Sequence, residues 1–330
     1  MIRKSPRYLA ASAAAAVLLL TACSSDPSSA DDATEQDELT PITIMVPPSV
    51  FATPMYLGLE EGIFEDHGFD VTIEAGTSMA EMMPLLMNDE AQYIFGDIHN
   101  TILAKDEGMP IAIGAPNGIN ASTEPDKGFA NLLVAEDSGI DELSDLENRQ
   151  IATNSINGQA QLDNTTYMED KGVDVSTIEW IGVPLEQAVA GLRQGQYDAI
   201  TIAEPSGTIA MQEGGVKMLG SADAAIPEAP MFALVSLDTY LEEESEQAER
   251  FQEAIVEANT LANNDRDAVE AVLPNIMDLP EEAIDEVVLP PFAEAPFDPA
   301  SSEPVLERLQ DKGILPSDAD IDLESLFPLS

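Results

Sequence analysis

Short apolar runs alternate with helix-length amphipathic patterns along most of this chain, and they do so in two separate series. In the first, residues 42–46, 70–75, 93–96 and 111–115 have the length and apolar content of strands, and residues 54–62, 79–88 and 98–107 carry helical spacing between them. In the second, strands are expected at 131–134, 150–153, 178–181, 198–202 and 216–219. One helix in this series is marked at both ends. Leu185, Ala188, Val189 and Leu192 fall on one face, Pro184 opens the helix and Gly195 closes it. A further strand at 231–236 precedes helices, the longest of which places Ala248, Phe251, Ile255, Ala258 and Ala262 on one side. Alternation of this kind predicts mainly parallel sheets covered by helices.

Turn-rich stretches bound the second series, GAPNGINASTEPDKG before it and Pro227-Glu228-Ala229-Pro230 after it. The expected architecture is α/β, with two doubly wound lobes joined by two crossovers. Lobe 1 takes residues 41–115 and 230–330, and lobe 2 is inserted as residues 116–229. Open α/β sheets hold ligands beyond the carboxyl ends of their strands, so the cleft between the lobes is the expected binding site.

Ahead of this region, Arg3, Lys4 and Arg7 precede an apolar stretch at 9–20 that is too short for a stable membrane span, which marks residues 1–22 as a signal peptide. Leu20-Thr21-Ala22-Cys23 resembles the bacterial lipobox, so Cys23 is the expected lipidation site and the first residue of the mature protein. Two acyl chains anchor far more firmly than one, at about 0.8 kcal/mol per buried methylene. Residues 24–40 contain one aliphatic side chain, Leu39, and continue from Cys23 as an acidic tether (23–40) unable to pack. The expected location is the extracytoplasmic face of the cell membrane.

Composition excludes several functions. Cys23 is the only cysteine, which removes disulfides and cysteine-based catalysis. With 62 acidic against 13 basic residues and a net charge of −49, nucleic acid is not an expected partner. The acidity suits a heavily solvated surface, as in a salty habitat.

Thr53-Pro54-Met55-Tyr56-Leu57-Gly58-Leu59-Glu60-Glu61-Gly62 with Ile63-Phe64-Glu65-Asp66-His67-Gly68-Phe69-Asp70-Val71 resembles the opening helix and second strand of periplasmic-type substrate-binding proteins. The likeness is to those serving ABC importers for nitrate, sulfonates, taurine and the thiamine pyrimidine precursor. Asp137-Ser138-Gly139-Ile140 with Asp145-Leu146, then Gln150-Ile151-Ala152, Gly195-Gln196-Tyr197-Asp198-Ala199 and Ala203-Glu204-Pro205 continue it in order over about residues 42–290. The resemblance implies a type II periplasmic-binding-protein fold that closes on a small solute and delivers it to a membrane permease.

Position then nominates the cleft residues. Ser49 and Phe51 follow the first strand, where the ring of Phe51 could stack on a planar ligand or belong to the core. Thr77 and Ser78 precede a helix, able to hold an oxyanion or to cap it. Asp97 and His99 follow the third strand; Asp97 also suits an N-cap, and His99 a hydrogen bond to ligand. In lobe 2, Asn154, Ser155 and Asn157 lie between a strand and a helix. Glu204, which borders the ligand in many of the resembling proteins, would favour an N–H donor or cap the helix beyond it. This set contains carboxylates and no Arg or Lys, which favours a neutral or nitrogen-containing organic solute; a nitrate, taurine or alkanesulfonate anion is the alternative.

Catalysis lacks a constellation. No Gly-x-Ser-x-Gly elbow accompanies His67 or His99, and two separated histidines do not make a metal centre. Enzymes of pyrimidine synthesis share the fold but carry a cysteine-rich motif absent here. No cofactor is expected, and the expected form is a monomer whose partners are a small-molecule ligand, a permease and, through Cys23, the membrane.

Overall fold

The computed structural model describes residues 39–124 and 127–330; the expected signal peptide, Cys23 and the expected tether as far as residue 38 lie outside the described residues. In chain order the strands are β1 (Thr40–Val46), β2 (Phe69–Ala75), β3 (Tyr93–Asp97), β4 (Ile111–Pro116), β5 (Ala130–Ala135), β6 (Gln150–Thr153), β7 (Glu179–Gly182), β8 (Ala199–Ala203), β9 (Val216–Ser221) and β10 (Phe232–Leu237). They form two five-stranded sheets of matching layout, β2-β1-β3-β10-β4 and β7-β6-β8-β5-β9. Each sheet is the centre of one lobe.

The helices covering the first sheet begin with α1 (Thr53–Glu60), α2 (Ile63–Asp66), α3 (Met79–Met87) and α4 (Ile98–Asp106). The second sheet carries α5 (Gln159–Asp170), α6 (Leu185–Arg193) and α7 (Ser206–Glu213). Beyond β10 come α8 (Asp238–Glu243), α9 (Ser245–Asn264), α10 (Arg266–Ile276), α11 (Glu281–Ile284), α12 (Glu303–Asp311) and α13 (Leu323–Leu326). Among the described residues, no helix is long and apolar enough to cross a membrane.

The sheets are mainly parallel, as the alternation predicts, with one reversed strand in each. β1 pairs in parallel with β2 and β3, and β6 with β7 and β8, but β10 runs antiparallel to β3 and β4, and β5 antiparallel to β8 and β9. Both exceptions are the first strand the chain forms after passing from one lobe to the other. A chain leaving the carboxyl end of β4 or β9 is already at the cleft edge, and no helix intervenes to carry it to the far side. It therefore enters the next sheet from the cleft and runs against the strands that end there. The two passages lie side by side: Ile119 and Pro230 form an antiparallel bridge, and the Asn120 amide donates to the Ala229 carbonyl at 3.0 Å.

Packing follows the patterns read in the sequence. The side chains Ala248, Phe251, Ile255, Ala258 and Ala262 of α9 are all buried. Phe251 stacks on Tyr93 of β3 at a centroid distance of 4.3 Å, and burial of side chains of this size contributes about 1.5–3 kcal/mol each. The α12 segment returns to pack on α4, so the end of the chain rests on lobe 1 beside the cleft.

Candidate functional site

A cavity of about 310 Å³ lies between the lobes, with walls from both. Lobe 1 contributes Phe51, Asp97, Asn100, Met231 and Phe232; lobe 2 contributes Phe129, Asn131, Asn154, Ser155 and the first turns of α5. Its volume falls at the lower end of the roughly 300–1,000 Å³ typical of small-molecule sites.

The apolar wall is an aromatic cluster. Phe51 sits 4.2 Å from Phe232 and 5.9 Å from Phe129 between ring centroids, and Phe232 stacks on Phe95 at 4.9 Å. Gly118 lies close beneath it, and a Cβ added there would stand 3.0 Å from the Phe51 ring, a tight contact from which the ring would have to shift. Phe51 is thus both core and cavity wall. Phe129 is held by the second passage: Asp223 accepts from the amides of Phe129 at 2.9 Å and Ala130 at 2.8 Å.

The polar wall is dominated by acceptors. Asp97 caps α4, its Oδ1 accepting from the Asn100 amide and its Oδ2 from Asn100 Nδ2, both at 2.8 Å. A carboxylate offers about four lone-pair directions, so acceptor capacity remains on the cavity side. Burial raises the Asp97 carboxyl above its ordinary pKa, against the hydrogen bonds from Asn100. From α5, Gln159 and Asp163 are one turn apart, with Asn164 beside them. Asp163 and Asn164 are buried.

Arg308 approaches this group from α12. Its Nη1 lies 2.8 Å from Asp163 Oδ1, with both side chains 7% exposed, and its Nη2 lies 2.5 Å from His99 Nε2. Burial raises the Asp163 carboxyl to about 6 in spite of the guanidinium beside it. The same cation requires His99 Nε2 to accept, placing any ring proton on Nδ1. Burial and, secondarily, Arg308 push the His99 pKa down to about 3.

His99 accordingly stays neutral where an unfolded histidine, with a pKa of about 6.5, takes up a proton. Folding stability from this residue is lost as pH falls from about 6.5 toward 3, because only the unfolded chain gains charge there. Asp163 acts in the opposite sense between about 6 and its unfolded pKa of about 3.9, and Asp97, also raised, adds to Asp163. Those carboxylates are shared by parent and His99→Gln, so the difference between the two isolates the histidine. The urea midpoint of the parent should fall more on acidification from pH 6.5 than that of His99→Gln; parallel pH profiles would contradict a neutral buried His99.

The residues nominated from sequence separate into two groups. Phe51, Asp97, Asn154 and Ser155 line the cavity. His99 is one layer behind it, turned to Arg308. Ser49 is half-buried beside the Phe51 turn, its hydroxyl without a hydrogen-bond partner among the described residues. Ser78 caps α3 by accepting from the Glu81 amide, and Thr77 donates to the Glu81 carboxylate; both are exposed. Asn157, at a positive φ of 59°, is exposed, with its amide bonded to Gln161 Oε1 at 2.7 Å. Glu204 lies behind Asn131, accepting from Asn131 Nδ2 at 2.8 Å and capping the start of α7 through the Thr208 amide at 3.1 Å. It faces a second cavity, where burial raises its pKa. Lys127, in the crossover, pairs with Glu286 at 2.5 Å.

Asn131, Gln159, Asp163, Asn164, Phe129 and Phe232 were not anticipated, nor was a cation beside the cleft. The aromatic and Asn131 positions are the entry ends of β5 and β10, which reach the cleft because those strands run antiparallel. A signal for them existed in the turn-rich stretch before each strand. Arg308 had no local signal.

The sequence profile described as NMT1/THI5 like matches residues 51–268. No curated protein sequence matches the chain. Among solved structures, the aliphatic sulphonate binding protein SsuA of Escherichia coli is similar at TM-score 0.70 and 19% identity, over 87% of this chain and 91% of that one. The nitrate-binding protein NrtA of Synechocystis PCC 6803 gives 0.68 and 14%, over 86% and 84%. The ligand binding component of an ABC-type import system from Staphylococcus aureus gives 0.69 and 12%, over 88% and 99%. These likenesses are of fold, that of a two-lobed binding protein. With the profile spanning about two-thirds of its length, the chain belongs to the NMT1/THI5-like family.

Proposed function

We propose that this protein is the extracytoplasmic solute-binding component of an ABC importer, held at the membrane by lipid on Cys23, and that it captures a small organic solute between its lobes for a permease. The observation that carries this reading is the cavity walled by both lobes, at the edge where the parallel strands of each sheet end and both crossovers pass. A site divided between two bodies joined by two short passages gains contacts when it closes. Names of similar structures, which describe a sulphonate binder, a nitrate binder and an ABC-type import component, support the same role.

Thermal melting against small-molecule pools tests it. A bound solute at 100 times its dissociation constant stabilises the protein by about 2.7 kcal/mol. The solute so found should also reduce the radius of gyration in small-angle scattering, and an unchanged radius would argue against lobe closure. Cys23→Ser should retain solute binding yet appear in the soluble fraction; retention on the membrane would remove the anchor from the proposal.

A further inference from the structure

Apart from Asp163 Oδ1, which meets the Arg308 guanidinium, three polar atoms at the cavity have no hydrogen-bond partner among the described residues: Gln159 Oε1, Asn164 Oδ1 and Thr201 Oγ1. The Asn164 oxygen is an acceptor by necessity. Asn164 Nδ2 already donates to the Ala160 carbonyl at 2.9 Å, so reversing that amide would set two acceptors against each other. Asn131, on the same wall, is fixed in the same way, with Nδ2 spent on Glu204. Buried polar groups are ordinarily hydrogen-bonded, and an acceptor left alone in a site costs free energy until a donor arrives. Charge points in the same direction. Asp97 and Asp163 flank the cavity, and one cation, Arg308, stands against the two; its Nη1 and Nη2 are turned to Asp163 and His99.

From this arrangement we infer that the solute is a small organic cation, an amidinium, guanidinium or ammonium headgroup on a compact apolar or aromatic body. The headgroup donates to Asp97, Gln159 and Asn164, and the body lies against Phe51, Phe129 and Phe232. This rests on the solute-binding reading above and narrows it. The first turn of α5 is the feature that opposes it: Gly158 at its N-cap gives no side-chain cap, and the backbone N–H groups there would suit an anion. An anion seated there would still meet Asp97, Asp163 and the unpaired amide oxygens.

Three probes of nearly the same shape separate the outcomes: benzamidine as cation, benzamide as neutral amide and benzenesulfonate as anion, each measured by thermal shift and calorimetry at millimolar concentration on the mature protein. Benzamidine should bind at least about 10-fold more tightly than either of the others, the scale of one charge-assisted hydrogen bond. Asp97→Asn keeps the bond from the Asn100 amide, since Asn caps as well as Asp, and it should remove most of that preference in a variant that still unfolds cooperatively. Tighter binding of benzenesulfonate would overturn the cation and leave a solute-binding protein. Equal binding of benzamide would show that charge plays no part and overturn it likewise. A benzamidine preference that survives Asp97→Asn, in a variant that unfolds cooperatively, would also overturn the assignment. No shift with any of the three would count against the cavity as a solute site, and so against the function itself.

Discussion

Replacing Arg308 with leucine should cost the folded protein about 1–3 kcal/mol at pH 7, at or below the lower end of the range for breaking a buried ion pair. The loss arises on the residues left behind. Asp163 is 5% exposed, and without the guanidinium its charge has no cation close by. Its escape is to bind a proton, but holding a carboxyl protonated at pH 7 against an unfolded pKa of about 3.9 costs about 4 kcal/mol. Part of that cost already exists in the parent, where burial raises the group to about 6, which keeps the expected loss at the low end. The sign with pH follows. A group whose folded pKa is raised loses stability as pH climbs from its unfolded pKa, so the variant should be closest to the parent near pH 5 and furthest above pH 7. Urea unfolding at both values checks this, and adding Asp163→Asn to Arg308→Leu should recover much of the difference. Equal stability of the single variant and the parent at pH 7 would show that the pair is not buried in solution.

Phe51→Ala should be at least as damaging, at about 3–5 kcal/mol. The ring is 7% exposed, lies in contact with three other phenylalanine rings and closes over Gly118. Truncation opens a void continuous with the cavity, so water would enter where the solute's apolar body is expected. Phe51→Leu separates the two roles. It retains most of the packing, at about 1 kcal/mol, but removes the flat face. If Phe51 contacts solute, Phe51→Leu should weaken binding by more than it lowers stability. Intact binding in Phe51→Leu would confine the ring to the core.

Periodicity made the elements legible because both lobes are built from strands short enough, and helices amphipathic enough, to declare themselves. The helix foreseen between Pro184 and Gly195 is α6, and the face foreseen on the longest helix is the buried face of α9. The direction of β5 and β10 was not legible. A strand's sequence is nearly the same whichever way it runs, and direction here is imposed by where the chain enters. That single omission hid Phe129, Asn131, Met231 and Phe232, since the cleft was sought only beyond the carboxyl ends of the strands. Asp97 was legible as both cap and cleft residue because the end of a strand and the start of a helix coincide there. Arg308 was hidden for a different reason. It meets Asp163 and His99 across 145 and 209 positions of sequence separation, and such a pairing leaves no local pattern.

The placement of α12 bears on how tightly any solute is held. This helix rides on lobe 1, yet its Arg308 and the Lys312 that follows it both reach α5 in lobe 2, Arg308 to Asp163 and Lys312 to Glu169 at 2.6 Å. A hinge opening at the crossovers has to draw those charges apart. Apparent affinity depends on the fraction of molecules already in the competent shape, so a helix outside the cavity lining sets part of the dissociation constant. In the proposed function a permease would have to supply the same work in reverse to part the lobes, so α12 would act on release as well as on capture.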